Sequence, residues 1–194
     1  MRTLKRWLPD ILFLVLLLAA RSSLADHYYV PSGSMEFTIM PGDRVFVDKT
    51  AYGLEFPFLD FKILAGDSPV AGEIAIFDSP ADGIRLIKRI VAVAGDSVEL
   101  RSGHLILNGE TLLCHRGSSD ECFSGHFADL NLEHGWGQDV ASFVVPQGKV
   151  LAIGDARGNS RDSRYFGLVD EAALYGRAVS VFYRKDEGFQ WQTL

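Results

Sequence analysis

A chain of 194 residues holds one compact domain, or one domain and a membrane anchor, and has no room for a multidomain assembly. Apolar residues make up 47%, charged residues 23% and aromatics 11%, which excludes a disordered or collagen-like chain. The net charge is −6 and no lysine or arginine run exceeds two, so a nucleic-acid footprint is missing.

The chain opens with a basic, then apolar segment. Arg2, Lys5 and Arg6 precede fourteen residues, Trp7 to Ala20, that are apolar except for Pro9 and Asp10. One reading is a secretory signal ending in the small residues Ser23-Leu24-Ala25 before Asp26, and fourteen residues suit it better than the ~20 that a full crossing needs. The other is an anchor in which Arg21 snorkels and the helix runs through Leu24 toward Tyr28 and Tyr29 at the interface. Both place residues 30–194 outside the cytoplasm, because the basic N-terminus stays inside.

Next comes Pro31-Ser32-Gly33-Ser34-Met35, where glycine permits close approach of backbone to a ligand. Alone it reads as a loop. Period-2 runs follow at Arg44–Asp48, Glu73–Phe77, Arg85–Val93, Val98–Arg101, His104–Leu107, Val150–Ile153 and Arg177–Tyr183, which predict strands of an antiparallel, mainly β domain. Ser102-Gly103 and Asn108-Gly109 are hairpin signals between them. The apolar run Tyr52–Leu64 reads either as core or as a patch resting on a bilayer. Asp170–Leu174 is a candidate short helix, and residues 110–142 read as an inserted loop region.

Lys88 breaks the pattern of its strand. Alternation puts it on one face with Leu86, Ile90 and Ala92, where desolvation lowers a lysine pKa and a neutral amine becomes a general base. The alternative is an edge strand whose lysine reaches water. Cys114 and Cys122 lie in a polar stretch, and in an oxidising compartment a small-loop disulfide is the default. A zinc site with His115 and His126 is the rival, but the cysteine spacing is not that of a usual metal knuckle. Gly154-Asp155-Ala156-Arg157-Gly158-Asn159-Ser160-Arg161-Asp162-Ser163-Arg164 follows an apolar strand and suits a tight, self-bonded loop, with Ser160 able to hold an amine and Asp162 and Arg164 to brace it. The chain has no Gly-x-Ser-x-Gly elbow, no Ser-x-x-Lys, no His-Glu-x-x-His and no Gly-rich nucleotide loop.

Taken together, Pro31–Met35 with Thr38 and Gly42-Asp43, Gly72–Phe77, Lys88-Arg89 with Gly95-Asp96, and Gly154–Gly167 resemble the bacterial type I signal peptidases, over nearly all of residues 21–184. The resemblance implies a Ser-Lys serine endopeptidase without cofactor or metal, with Ser34 as nucleophile and Lys88 as general base. Ser160 would orient the amine, Ser32 and the Ser34 N–H would form the oxyanion hole, and Asp162 and Arg164 would hold the loop. Val30, Met35, Ile39, Leu86 and Ile87 would line pockets for the small residues of an Ala-x-Ala site.

The implied partners are exported preproteins and the lipid bilayer, with the protein itself a monomer. The implied layout is a cytoplasmic N-terminus and transmembrane anchor over residues 1–29, and a catalytic domain over residues 30–194 on the outer side of the plasma membrane. Phe37 departs from the family's usual proline, and Ala156 and Gly158 from its usual asparagine and aspartate. Other readings are a narrow-client maturation peptidase of the conjugative-transfer type and a non-catalytic exported β domain that binds peptides. Self-cleaving SOS-type repressors share the dyad, but their DNA-binding head is missing here.

Overall fold

A computed structural model of the chain describes residues 25–55, 62–115 and 118–194, together with Trp7, Asp10 and Phe13. Apart from Trp7, Asp10 and Phe13, residues 1–24 of the anchor expected over residues 1–29 lie outside the described residues, as do residues 56–61 of the run Tyr52–Leu64. Among those described, no helix is long and apolar enough to cross a membrane.

The strands are, in chain order, β1 (Ala25–Tyr29), β2 (Arg44–Asp48), β3 (Gly53–Glu55), β4 (Lys62–Ala65), β5 (Ile74–Asp78), β6 (Arg85–Ala92), β7 (Ser97–Arg101) and β8 (His104–Leu107). They continue as β9 (Glu110–Thr111), β10 (Glu121–Phe123), β11 (His126–Ala128), β12 (Val140–Val144), β13 (Lys149–Ile153), β14 (Val169–Asp170), β15 (Leu174–Arg184) and β16 (Gly188–Thr193). The main sheet runs β1-β2-β15-β5-β6-β13-β14, with β16 also paired to β15, and a second sheet runs β12-β7-β8-β9. All the strand pairs in these two sheets are antiparallel.

The hairpin signals act as their chemistry requires. Ser102-Gly103 and Asn108-Gly109 both have positive φ at each position, the mirror-image turn whose twist matches the flanking strands. Three apolar clusters fill the interior. Val98, Leu100 and Leu105 of the second sheet pack on Val91, Leu151 and Ile153 of the main sheet. Val30, Met35 and Ile39 pack on Val45, Ile74, Ile76 and Ile87, while Ala75, Phe77, Ile90 and Ala152 form the third cluster. Each fully buried leucine, isoleucine or valine contributes about 1.5–3 kcal/mol.

Four expectations need correction. Residues 25–29 are not the end of an interfacial helix: Tyr28 and Tyr29 lie in β1, which pairs with β2. A β-branched and aromatic neighbour in β2 gives that segment a sheet edge to complete, which a hydropathy pattern does not reveal. β6 is not an edge strand, since β5 and β13 flank it. Residues 110–142 are more than a loop, containing β9, the β10–β11 hairpin and the start of β12, with Phe123, Ala128 and Leu130 in the core. Strands of two or three residues are too short to show a period. The candidate helix at Asp170–Leu174 is the end of β14 and a single 3₁₀ turn, Glu171–Ala173, leading into β15.

Candidate active site

Three segments converge. The turn after Val30 carries Ser34 and is closed by Glu36 N–H to the Gly33 carbonyl and Ile39 N–H to the Met35 carbonyl. Its outer end is tied down where Asp43 accepts from the Met40 N–H and from Arg184. The second segment is β6, which presents Lys88. The third is the loop after β13, whose Ala156 N–H donates to the Ser34 carbonyl at 3.1 Å.

Lys88 is 2% exposed and Ser34 is buried beside it. Lys88 Nζ donates to Ser34 Oγ at 2.7 Å and to the Ile87 carbonyl at 3.0 Å. Burial, the largest influence, pushes the lysine down from 10.5 to about 8; Arg164 adds to the depression, while Asp162 and Asp155 oppose it. A serine hydroxyl and a readily neutralised amine in contact can together generate a nucleophile.

Gly154 sets the spacing between the loop and the serine turn. A Cβ there would stand 2.3 Å from Ser160 Oγ and 2.4 Å from the Ser34 carbonyl oxygen, so no larger residue fits without displacing one of them. Ser160 is buried and its Oγ has no hydrogen-bond partner. Asp162 and Arg164 form a two-pronged buried pair, Nε to Oδ1 and Nη2 to Oδ2 both at 2.8 Å, and Asp162 also accepts from the Gly154 N–H. Arg164 Nη2 closes the loop further on the Arg157 carbonyl.

Val30, Met35, Ile39 and Ile87 belong to one cluster, while Leu86 lies half-buried against the cluster of Phe77 and Ile90. The first four are buried as core and present no open pocket in this state. Ser32 stands exposed two residues before Ser34. Cys114 and Cys122 are joined in a disulfide, which occupies both sulfurs of the rival zinc set.

Sequence reasoning missed a set of buried charges behind the site. Arg89, next to Lys88 in β6, pairs with Asp155 through Nε and Nη2 at 2.9 and 2.7 Å, and Thr38 Oγ1 donates to the same carboxylate at 2.6 Å. Arg157 pairs with Glu121 at 2.6 Å and donates to the Gly103 and Gly154 carbonyls. Burial lifts the Glu121 carboxyl above the usual carboxylate range, with Arg157 opposing. Asn131 donates to Glu36 in the serine turn, and its carbonyl accepts from the Arg157 N–H. The inserted region therefore braces both the nucleophile turn and the final loop. Two adjacent cations in an apolar strand were the available signal, since a strand buried on both faces can keep neither in water.

Phe37 is 42% exposed and has φ 77°, a left-handed conformation that costs a bulky residue about 1–3 kcal/mol. Proline, with φ held near −65°, cannot occupy that backbone.

The described residues thus form antiparallel sheets that bury a serine hydroxyl in hydrogen-bond contact with a lysine amine. The chain belongs to the signal peptidase family, peptidase S26, whose sequence profile matches residues 4–183. It is 32% identical over 200 residues to signal peptidase I of Pseudomonas aeruginosa, covering 89% of this chain and 69% of that protein. It is 31% identical over 198 residues to signal peptidase I of Pseudomonas fluorescens, with the same coverage of 89% and 69%. A crystal structure of a signal peptidase I from Enterococcus faecalis V583 overlaps 58% of this chain and 98% of that one, at 29% identity and a TM-score of 0.45, a likeness too loose to carry an argument about the fold.

Proposed function

We propose that this protein is a membrane-anchored serine endopeptidase that removes signal peptides from exported preproteins after small residues, using Ser34 and Lys88. The observation that carries the reading is the 2.7 Å contact between a buried lysine amine and a buried serine hydroxyl. Membership of the signal peptidase family supports the substrate class.

The chemistry follows from the contact. Once the amine is neutral, the Ser34 hydroxyl donates to Lys88 Nζ, and the amine takes the proton as Oγ attacks the scissile carbonyl. The resulting oxyanion is received by the Ser34 N–H and the Ser32 hydroxyl, where one lost donor costs about 100–1,000-fold in rate. Lys88 then passes its proton to the departing amine, leaving the signal peptide's acyl group on Ser34. A water deprotonated by Lys88 hydrolyses that ester and restores the serine. Ser160, whose buried hydroxyl lacks a partner, can receive the amine when Ser34 Oγ turns to the substrate, which accounts for an orphaned polar atom at that position. Val30, Met35, Ile39, Leu86 and Ile87 would move apart to admit small side chains. Residues 1–24 would anchor the chain, N-terminus inside, with the catalytic domain on the outer face of the plasma membrane, acting as a monomer.

Purified protein should cleave an Ala-x-Ala preprotein, and Ser34→Ala and Lys88→Ala should each reduce kcat by at least 1,000-fold while the far-UV circular dichroism stays unchanged. Cleavage that survives either substitution would refute the dyad.

A further inference from the structure

We propose that the cavity beside Phe37 is a second recognition site, one that takes a basic side chain of the substrate within the first three residues after the scissile bond. The inference rests on the reading of Ser34 as nucleophile and deepens it. The cavity has a volume of about 360 Å³ and is lined by Phe37, Thr38, His126, Phe127, Asp129 and Gln192, among others. Phe37 is three residues from Ser34, a length of chain that spans at most about 11 Å, so the cavity opens within reach of a peptide bound at the serine. Four of the five residues expected to meet the small side chains before the bond, Val30, Met35, Ile39 and Ile87, form one cluster, and Phe37 is outside it. A substrate extended across Ser34 from that cluster would leave past Phe37, β11 and the end of β16.

The chemistry of the walls points to a cation. Phe37 and Phe127 are both exposed aromatics that an alkyl stem can lie along and whose ring faces attract positive charge. Asp129 supplies a carboxylate, and among the described residues no basic side chain pairs with it. Partial burial, the neighbouring Asp120 carboxyl and the hydrogen bond the two side chains share hold Asp129 above the usual carboxylate range, and an incoming cation would favour its charged form. His126, the other titratable side chain of the wall, is held below its ordinary value by burial and so brings no competing positive charge at neutral pH. The strained backbone at Phe37, where the related family usually has proline, holds an aromatic ring at this rim.

The test compares two preproteins that differ only by lysine or glutamate at the second position after the scissile bond, with the full-length protein in detergent. The kcat/KM ratio should favour lysine about fivefold, fall toward one in Asp129→Asn and reverse in Asp129→Lys. Reversal cannot arise from poor folding. Ser34-dependent cleavage with a ratio near one in the parent, or a ratio that neither substitution moves, would overturn the cavity's role and leave the catalytic reading intact. Cleavage that persists in Ser34→Ala would overturn the catalytic reading and this inference with it.

Discussion

A lysine at 2% exposure, with one hydroxyl and one carbonyl to bond, holds its proton less tightly there than it would in water. The consequence for stability has a definite sign. Below about pH 8 the group is protonated in both folded and unfolded chains, and above 10.5 it is neutral in both. Between those values the unfolded chain holds the extra proton, so stability rises with pH. Lys88→Met should therefore be more stable than the parent at pH 7, by up to about 3 kcal/mol, and the gap should close by pH 10.5 in urea titrations. A gap that does not change with pH would mean the amine is solvated. Lys88 stood out in the sequence as a cation among apolar residues, whereas the turn of Ser34 alone read as a loop and the serine was singled out only by the resemblance of the four ordered motifs. Arg89, Asp155, Arg157 and Glu121 did not stand out, because charged residues look alike in sequence whether they face water or one another. Their burial is decided by the packing of segments far apart in the chain.

The loop Gly154–Arg164 and the turn Val30–Ile39 work as one unit, joined by the Ala156 N–H on the Ser34 carbonyl and by the carboxylate that Thr38 and Arg89 share. Removing one partner of such a buried pair typically costs 3–5 kcal/mol, roughly. Gly154 is where the unit has no slack. Gly154→Ala should lower kcat at least tenfold, since the added methyl must displace the Ser34 carbonyl or Ser160, with cleavage assays on the folded variant as the check. Unchanged kcat would show that the contact between loop and turn does not set the geometry. At this scale the predicted strands β2 and β8 match residue for residue, and β5, β6, β7 and β13 to within a residue or so at their ends. They are long enough to show alternation and sit between clear turn residues. β1, β10 and β11 escaped because each is short or carries polar and aromatic residues on both faces.

The whole molecule explains why water does not neutralise the effect of burying Lys88. β5 and β13 cover the edges of β6, and apolar clusters lie on both faces of the sheet around it. The inserted region adds the brace from Glu121 and Asn131, held by a hairpin next to the Cys114–Cys122 disulfide. The mainly β architecture was legible from alternation and turns, whereas the bracing role of residues 110–142 was not, since it depends on buried ion pairs and on strands too short to announce themselves. The account turns on an amine that this architecture keeps poised near neutrality. The direct measurement is kcat/KM for an Ala-x-Ala preprotein as a function of pH, which reports ionisations of the free enzyme. It should rise through an apparent pKa of about 8 and then level off. A rate still climbing at pH 10 would contradict it.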